Sequence, residues 1–228
     1  MSLREFGFNE FWFILVAAKW TILLAVIAFV GGGAVGMVIA ALRVAPARPL
    51  RWIATAYTQF FMGTPLLIQL FMAYYGSSPV RYHPHPWPPA ALTLRRNAGG
   101  VFGEIFRGAI EAIPKGQWEA ATSLGFRFVR TLRLVIVPQA VRLMLPPTVG
   151  FMVQIVKSTS VASLIGMTEV ARASVQINTV TFEPVWVFGT ASAIYFALRW
   201  PLSLYAGYLE RKLAVGATRK VEKPLVAA

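Results

Sequence analysis

The chain has 228 residues, is 57% hydrophobic and only 14% charged, and carries a net charge of +13 with a mean hydropathy of +0.60. That balance excludes an ordinary soluble domain. With no cysteine and no aspartate, it also excludes a disulfide framework, a thiol nucleophile and a thiolate metal site.

Residues 1–19 hold Arg4, Glu5 and Glu10 but no compact apolar core followed by a small-residue cleavage site. We therefore expect a retained N-terminal segment there, not a removable signal peptide. From Trp20 to Leu42 no residue is charged. About 20 apolar residues at 1.5 Å rise cross a hydrocarbon core of about 30 Å, so a first membrane span is predicted over 20–42. In lipid the backbone must satisfy its own hydrogen bonds, so this span and those that follow are helices. Inside it GGGAVG (31–36) fits a G-x-G-x-x-G pattern in form. No strand precedes it, so nucleotide binding is not expected, and Gly32 with Gly36 reads as a small-xxx-small helix contact.

A short Pro-broken loop, RVAPARPLR, leads to a second uncharged run from Trp52 to Val80, predicted as a span over 53–76. Gly63, Thr64 and Pro65 fall within it. Pro65 cannot donate to the Phe61 carbonyl, so a kink should free an acceptor at depth. Thr64 and Gln69 are then candidates for a substrate site, against the alternative of a packing kink without ligand. The outer loop SSPVRYHPHPWPP is Pro-rich; His83 and His85 lack nearby acids, and no metal site is expected. A third span over 88–111 must contain Arg95, Arg96, Glu104, Arg107 and Glu111, so protein or a polar cavity should shield it.

Residues 113–142 form the longest polar connection. Pro114 and Gly116 end the preceding helix. A short helix is expected over Trp118 to Leu124, with Glu119 in its first turn and Gly125 as C-terminal cap. Ala120 and Ala121 would leave one face nearly bare. Beyond it Phe128, Leu132 and Val135 alternate with Arg127, Arg130 and Arg133, predicting a basic amphipathic helix at the membrane surface. The fourth span, 143–166, holds Lys157 among Gln154, Ser158, Thr159 and Ser160. A buried ammonium there suits a substrate carboxylate, with the neighbours completing its hydrogen bonds. The competing reading is a structural ion pair with Glu104. The fifth span, 185–209, is interrupted by Arg199, and a tail over 214–228 follows.

Three Lys and Arg residues lie in 43–51, six in 107–142 and five in 210–228, whereas the alternate segments carry only Arg4, Lys19, Arg81 and Arg172. The positive-inside rule then puts the N-terminus outside and the C-terminus in the cytoplasm, which requires five spans. A basic inner face accounts for the charge without nucleic acid.

EAATSLGFRFVRTLRLVIVP (119–138) resembles the EAA loop of the membrane subunits of ABC importers. FMGTPLLIQLF (61–71), GEIFRGAIEAIPKGQWEAATSLG (103–125), VPQAVRLMLPP (137–147), KSTSVASLIG (157–166), TFEPV (181–185) and YLERKL (208–213) resemble, in order, segments of that family's polar amino-acid branch, the histidine/glutamine/glutamate permeases. The resemblance implies an all-α integral membrane protein of type I ABC importer fold, with five transmembrane helices and a cytoplasmic coupling helix, the permease domain covering 20–213. It implies that Pro114, Lys115, Trp118, Glu119, Ala120, Ala121 and Gly125 grip a separate ATPase. It further implies a second permease subunit, identical or related, an external solute-binding protein, and a bacterial inner-membrane location. There is no G-x-x-x-x-G-K-[ST] motif, so no catalysis is expected of this chain, and ATP with magnesium belongs to the partner. Two departures bear on use. Ser158 replaces an acid common in relatives, which favours neutral or acidic amino acids, and Arg95–Arg96 interrupts the pattern of the third helix. The alternative class is a self-sufficient secondary transporter or channel with a relay of Lys157, Glu104 and Arg199, although neither internal repeats nor extra spans are visible.

Overall fold

The computed structural model describes residues 5–76 and 85–218. The connection over 77–84, with His83, and the tail end over 219–228 lie outside the described residues. Among the described residues every element is helical. Helix α1 runs Phe8–Val44, α2 Arg48–Gly63, α3 Leu66–Tyr75, α4 Trp87–Glu111 and α5 Lys115–Ser123. Helix α6 (Phe128–Thr131) continues through a π-helical turn (Leu132–Ile136) into α7 (Val137–Ser158) and a 3₁₀ segment (Thr159–Ile165). Helices α8 (Val170–Thr181) and α9 (Pro184–Thr218) complete the fold.

Helix α1 starts at Phe8, well before the span boundary expected at Trp20. The Glu10 carboxylate accepts the Gly7 N–H at 3.1 Å and closes the first turn. Ile14, Ala17 and Ala18 then pack on Val170 and Ala173 of α8 and on Val187, Ala191 and Ile194 of α9. At 1.5 Å per residue the 37-residue helix is about 55 Å long, more than a bilayer core requires. It and the continuous run Phe128–Ile165 are both long and apolar enough to cross a membrane.

The most extensive pairing in the molecule is α1 with α4, and small residues set it. A Cβ on Gly32 would stand 2.6 Å from the Ala98 Cβ, and one on Gly36 2.5 Å from the Phe102 Cβ. In return, Gly99 and Gly103 of α4 receive Val35 and Ile39 of α1. The helices meet at distances only glycine permits, as the small-xxx-small reading of Gly32 and Gly36 expects. Helix α4 itself is unbroken through Arg95 and Arg96. The aliphatic stem of Arg95 lies against Gly31, and the Tyr57 hydroxyl donates to the Arg96 carbonyl at 2.8 Å. Around this pair the main core gathers Leu24 and Ala28, Phe102 and Phe106, and Ile136, Ala140 and Ile155 of the π turn and α7.

The outside of the bundle is apolar too. Trp52 is 78% exposed and Val185 81%, and Trp186, Phe196 and Leu204 are exposed among them. Exposed large side chains in such number suit a lipid solvent, not water.

Two boundaries in the polar connection differ from expectation. Helix α5 begins at Lys115, not Trp118, because Pro114 is pre-set for the helix start and the Gln117 N–H bonds its carbonyl at 3.0 Å. Glu119 therefore sits in the second turn, beyond the reach of the first-turn dipole. The basic stretch after Gly125 is no separate surface helix either. It enters α7 without interruption, so the helix begins at Phe128, not Leu143. The π turn has a local cause: Pro138 has no N–H for the ladder, and the register widens just before it. The Gln139 side chain donates to the Val135 carbonyl at 2.8 Å.

Candidate functional site

The expected span over 53–76 is broken into α2 and α3 at Thr64–Pro65. The Phe61 carbonyl that Pro65 leaves without its helical donor is taken by two amides: Gln69 Nε2 donates at 2.9 Å and Asn97 Nδ2 of α4 at 3.0 Å. Gln69 Nε2 also lies 2.9 Å from the Thr64 carbonyl and 2.8 Å from Thr64 Oγ1, while the Thr64 hydroxyl donates to the Phe60 carbonyl at 2.7 Å. Thr64 and Gln69 thus serve the break itself, with Gln69 buried. Asn97 escaped the sequence reading; its only signal was an amide in a helix otherwise punctuated by glycine and arginine.

In the α7 segment the hydroxyls turn back on their own helix. Ser158 Oγ donates to the Gln154 carbonyl at 3.1 Å, Thr159 Oγ1 to Val156 at 2.8 Å and Ser160 Oγ to Lys157 at 2.7 Å. Thr159 is fully buried, whereas Lys157 and Gln154 are exposed. Lys157 and Ser160 line a cavity of about 520 Å³ between α7 and α9, together with Ser192, Tyr195, Phe196 and Arg199. Gln154, Ser158 and Thr159 are not among its lining residues. The structure therefore brings Lys157 together with Arg199, and places Thr64 and Gln69 in a separate arrangement.

Glu104 is not the partner of Lys157. It pairs with Arg43 of α1 and with Arg107, which also binds Glu111. The proposed Lys157–Glu104 ion pair, and a relay through Glu104, give way to a charge cluster tying the ends of α1 and α4. Arg43 lies about two turns beyond Gly36, the last glycine of α1 in the contact, and that close approach delivers it to α4.

Behind the cavity, Tyr195 Oη donates to Glu169 Oε2 at 2.5 Å. Glu169 caps α8 by accepting the Arg172 N–H at 3.0 Å and also accepts the Thr21 hydroxyl at 3.4 Å. Burial pushes this carboxyl above the ordinary range, and the Tyr195 hydroxyl and the helix N–H groups pull it back.

Helix α5 ends as its sequence predicts. Gly125 adopts φ +77°, its N–H bonds the Thr122 carbonyl at 2.9 Å and the Phe126 N–H bonds Ala121 at 3.0 Å, a Schellman closure. Trp118 stacks on Phe128 with ring centroids 6.0 Å apart, and Gln139 bonds Gln117 at 3.1 Å. Ala121 is buried while Ala120 is exposed, so the two alanines do not share a bare face. The outward surface instead presents Lys115, Gly116, Glu119, Ala120 and Leu124, the last 76% exposed. Leu124 was not singled out from the sequence, where it reads as one apolar residue among many.

An apolar exterior enclosing ion clusters and a proline-broken helix is the build of an integral membrane transport subunit. The chain belongs to the family described as binding-protein-dependent transport system inner membrane component, which matches residues 32–215. It is 35% identical over 207 residues to the L-cystine transport system permease protein TcyB of Bacillus subtilis (strain 168), covering 90% of this chain and 88% of that protein. Among solved structures it is similar to an amino acid ABC transporter crystallised with histidines, at 28% identity and a TM-score of 0.80, covering 88% of this chain and 94% of the other. The MetNI methionine ABC transporter shares the fold, with a TM-score of 0.71 at 19% identity over 91% of this chain and 99% of the other.

Proposed function

We propose that this protein is the permease subunit of an ATP-driven importer of polar amino acids, working in the bacterial inner membrane. It forms the translocation path and takes its energy from a separate ATPase that holds ATP and magnesium; the chain itself is not an enzyme. The observation that carries this reading is the family match along residues 32–215, within which α5 stands as a short, capped helix with an outward polar face. Five spans follow: α1, the broken α2–α3 pair, α4, the run Phe128–Ile165, and α9. The N-terminus is outside and the C-terminus inside, with 113–142 at the cytoplasmic face.

Pro114, Lys115, Trp118, Glu119, Ala120, Ala121 and Gly125 form the coupling segment, with Glu119 and Ala120 in contact with the ATPase and Trp118 and Ala121 anchoring the helix to the bundle. When the ATPase pair closes on ATP, it moves α5. Because α5 is joined to α4 and stacked on the start of the α6–α7 run, those helices tilt and the cavity changes the side it opens to. A second permease copy or relative and an external binding protein complete the assembly. Lys157 holds the substrate carboxylate, with Ser160 lining the same cavity. Gln154, Ser158 and Thr159 complete the segment, and Thr64 and Gln69 shape the path at the helix break.

The test is at Gly125. A bulky side chain at φ +77° is strained whatever space surrounds it. Gly125→Trp is expected to insert normally yet abolish uptake, whereas Gly125→Asn, which tolerates the left-handed region, retains most of it. Normal uptake by the inserted Trp variant contradicts the coupling role.

A further inference from the structure

The α7–α9 cavity holds two cations and no acid. Lys157 enters from the end of α7 and Arg199 from the middle of α9, and Ser160, Ser192, Tyr195 and Phe196 supply the rest of the lining. Among the described residues neither cation has an ion-pair partner, since Glu104 and Glu111 are taken by Arg43 and Arg107. Arg199 Nε is buried without an acceptor. Glu169 is the nearest candidate counter-ion by connectivity, yet it is fully buried behind Tyr195, with oxygens engaged by Tyr195, Thr21 and the Arg172 N–H. Two cations lining one cavity with no acid among its walls make it a place for an anion.

The hydroxyls indicate what else the occupant carries. The Ser160 hydrogen is spent on the Lys157 carbonyl and the Tyr195 hydrogen on Glu169, so both oxygens face the cavity as acceptors. Acceptors between two cations suit an ammonium flanked by carboxylates. The volume, about 520 Å³, lies in the range of small-molecule sites.

Resting on the import reading above, we infer that this cavity receives an amino acid bearing two carboxylates, Lys157 taking one and Arg199 the other. An amino acid with a single carboxylate leaves one cation unanswered, and a cationic side chain adds a third positive charge. Arg199 is thus the residue that selects for the second carboxylate.

The experiment uses the permease co-purified with its ATPase in lipid nanodiscs and measures binding of labelled glutamate, cystine and glutamine. At least one of the two dicarboxylates is expected to bind about tenfold or more tighter than glutamine, the isostere of glutamate without the second charge. Arg199→Gln should bring that ratio close to one, and Arg199→Lys should restore most of the preference, which separates charge recognition from a folding defect. Equal or tighter binding of glutamine, or a ratio untouched by Arg199→Gln, overturns the inference. An assembled, ATP-hydrolysing complex that prefers glutamine overturns it while leaving the import reading intact; a chain that never assembles with an ATPase sinks both.

Discussion

Gln69 shows how one side chain can hold a membrane helix together at a proline. Its amide nitrogen serves the Phe61 and Thr64 carbonyls at once, and Asn97 shares the first of them from α4. Removing it leaves the Phe61 carbonyl to Asn97 alone and the Thr64 carbonyl without its side-chain donor, at a cost of about 1–3 kcal/mol for a buried group left unpaired. Gln69→Leu, which keeps the volume, should therefore lower the thermal unfolding temperature of the detergent-solubilised protein by several degrees; an unchanged temperature would mean that the break is held by packing alone. The need for such a donor was legible from Pro65, because proline removes one particular N–H and the orphaned carbonyl can be counted. Asn97 was not legible, since the alignment of α4 beside the break depends on glycines of another helix. Arg199 was legible as a charge in an apolar run and was grouped with Lys157 and Glu104, but only the packing of α9 on α7 shows that Lys157, and not Glu104, shares its cavity.

Among the elements, α1 and α4 set the frame. Their contact relies on absent side chains, which a substitution series can expose. Gly36→Leu must displace Phe102 and the backbone at Gly103, where a Cβ would stand 2.5 and 2.9 Å away. Overpacking of this kind typically costs 1–3 kcal/mol, and here it would also part Arg43 from Glu104. Gly33→Leu, with nothing within 4 Å of its Cβ, should leave thermal stability close to the parent protein. If the two variants melt alike, the glycine contact is not what seats α4. The spacing of Gly32 and Gly36 predicted which side of α1 would be approached, but periodicity could not say by what. Helix ends were harder. The start of α1 at Phe8 and the entry of the basic stretch into α7 both follow from tertiary packing, which outweighs local charge in deciding where a helix stops.

At the scale of the whole molecule, the proposed function makes one demand: residues 115–125 should face the cytoplasm and touch a motor protein. The chain's lack of cysteine makes this directly testable, because a single introduced thiol reports on one place. Ala120 is exposed on α5 and small, so Ala120→Cys should perturb neither the cap at Gly125 nor the stack of Trp118 on Phe128. In intact cells the thiol is expected to resist a membrane-impermeant maleimide and react once the cytoplasmic side is opened. In membranes containing the assembled transporter, a short bifunctional reagent should then join it to the ATPase, with a yield that changes on ATP binding. Labelling from the outside, or a crosslink pattern without any nucleotide-hydrolysing protein, would contradict the account.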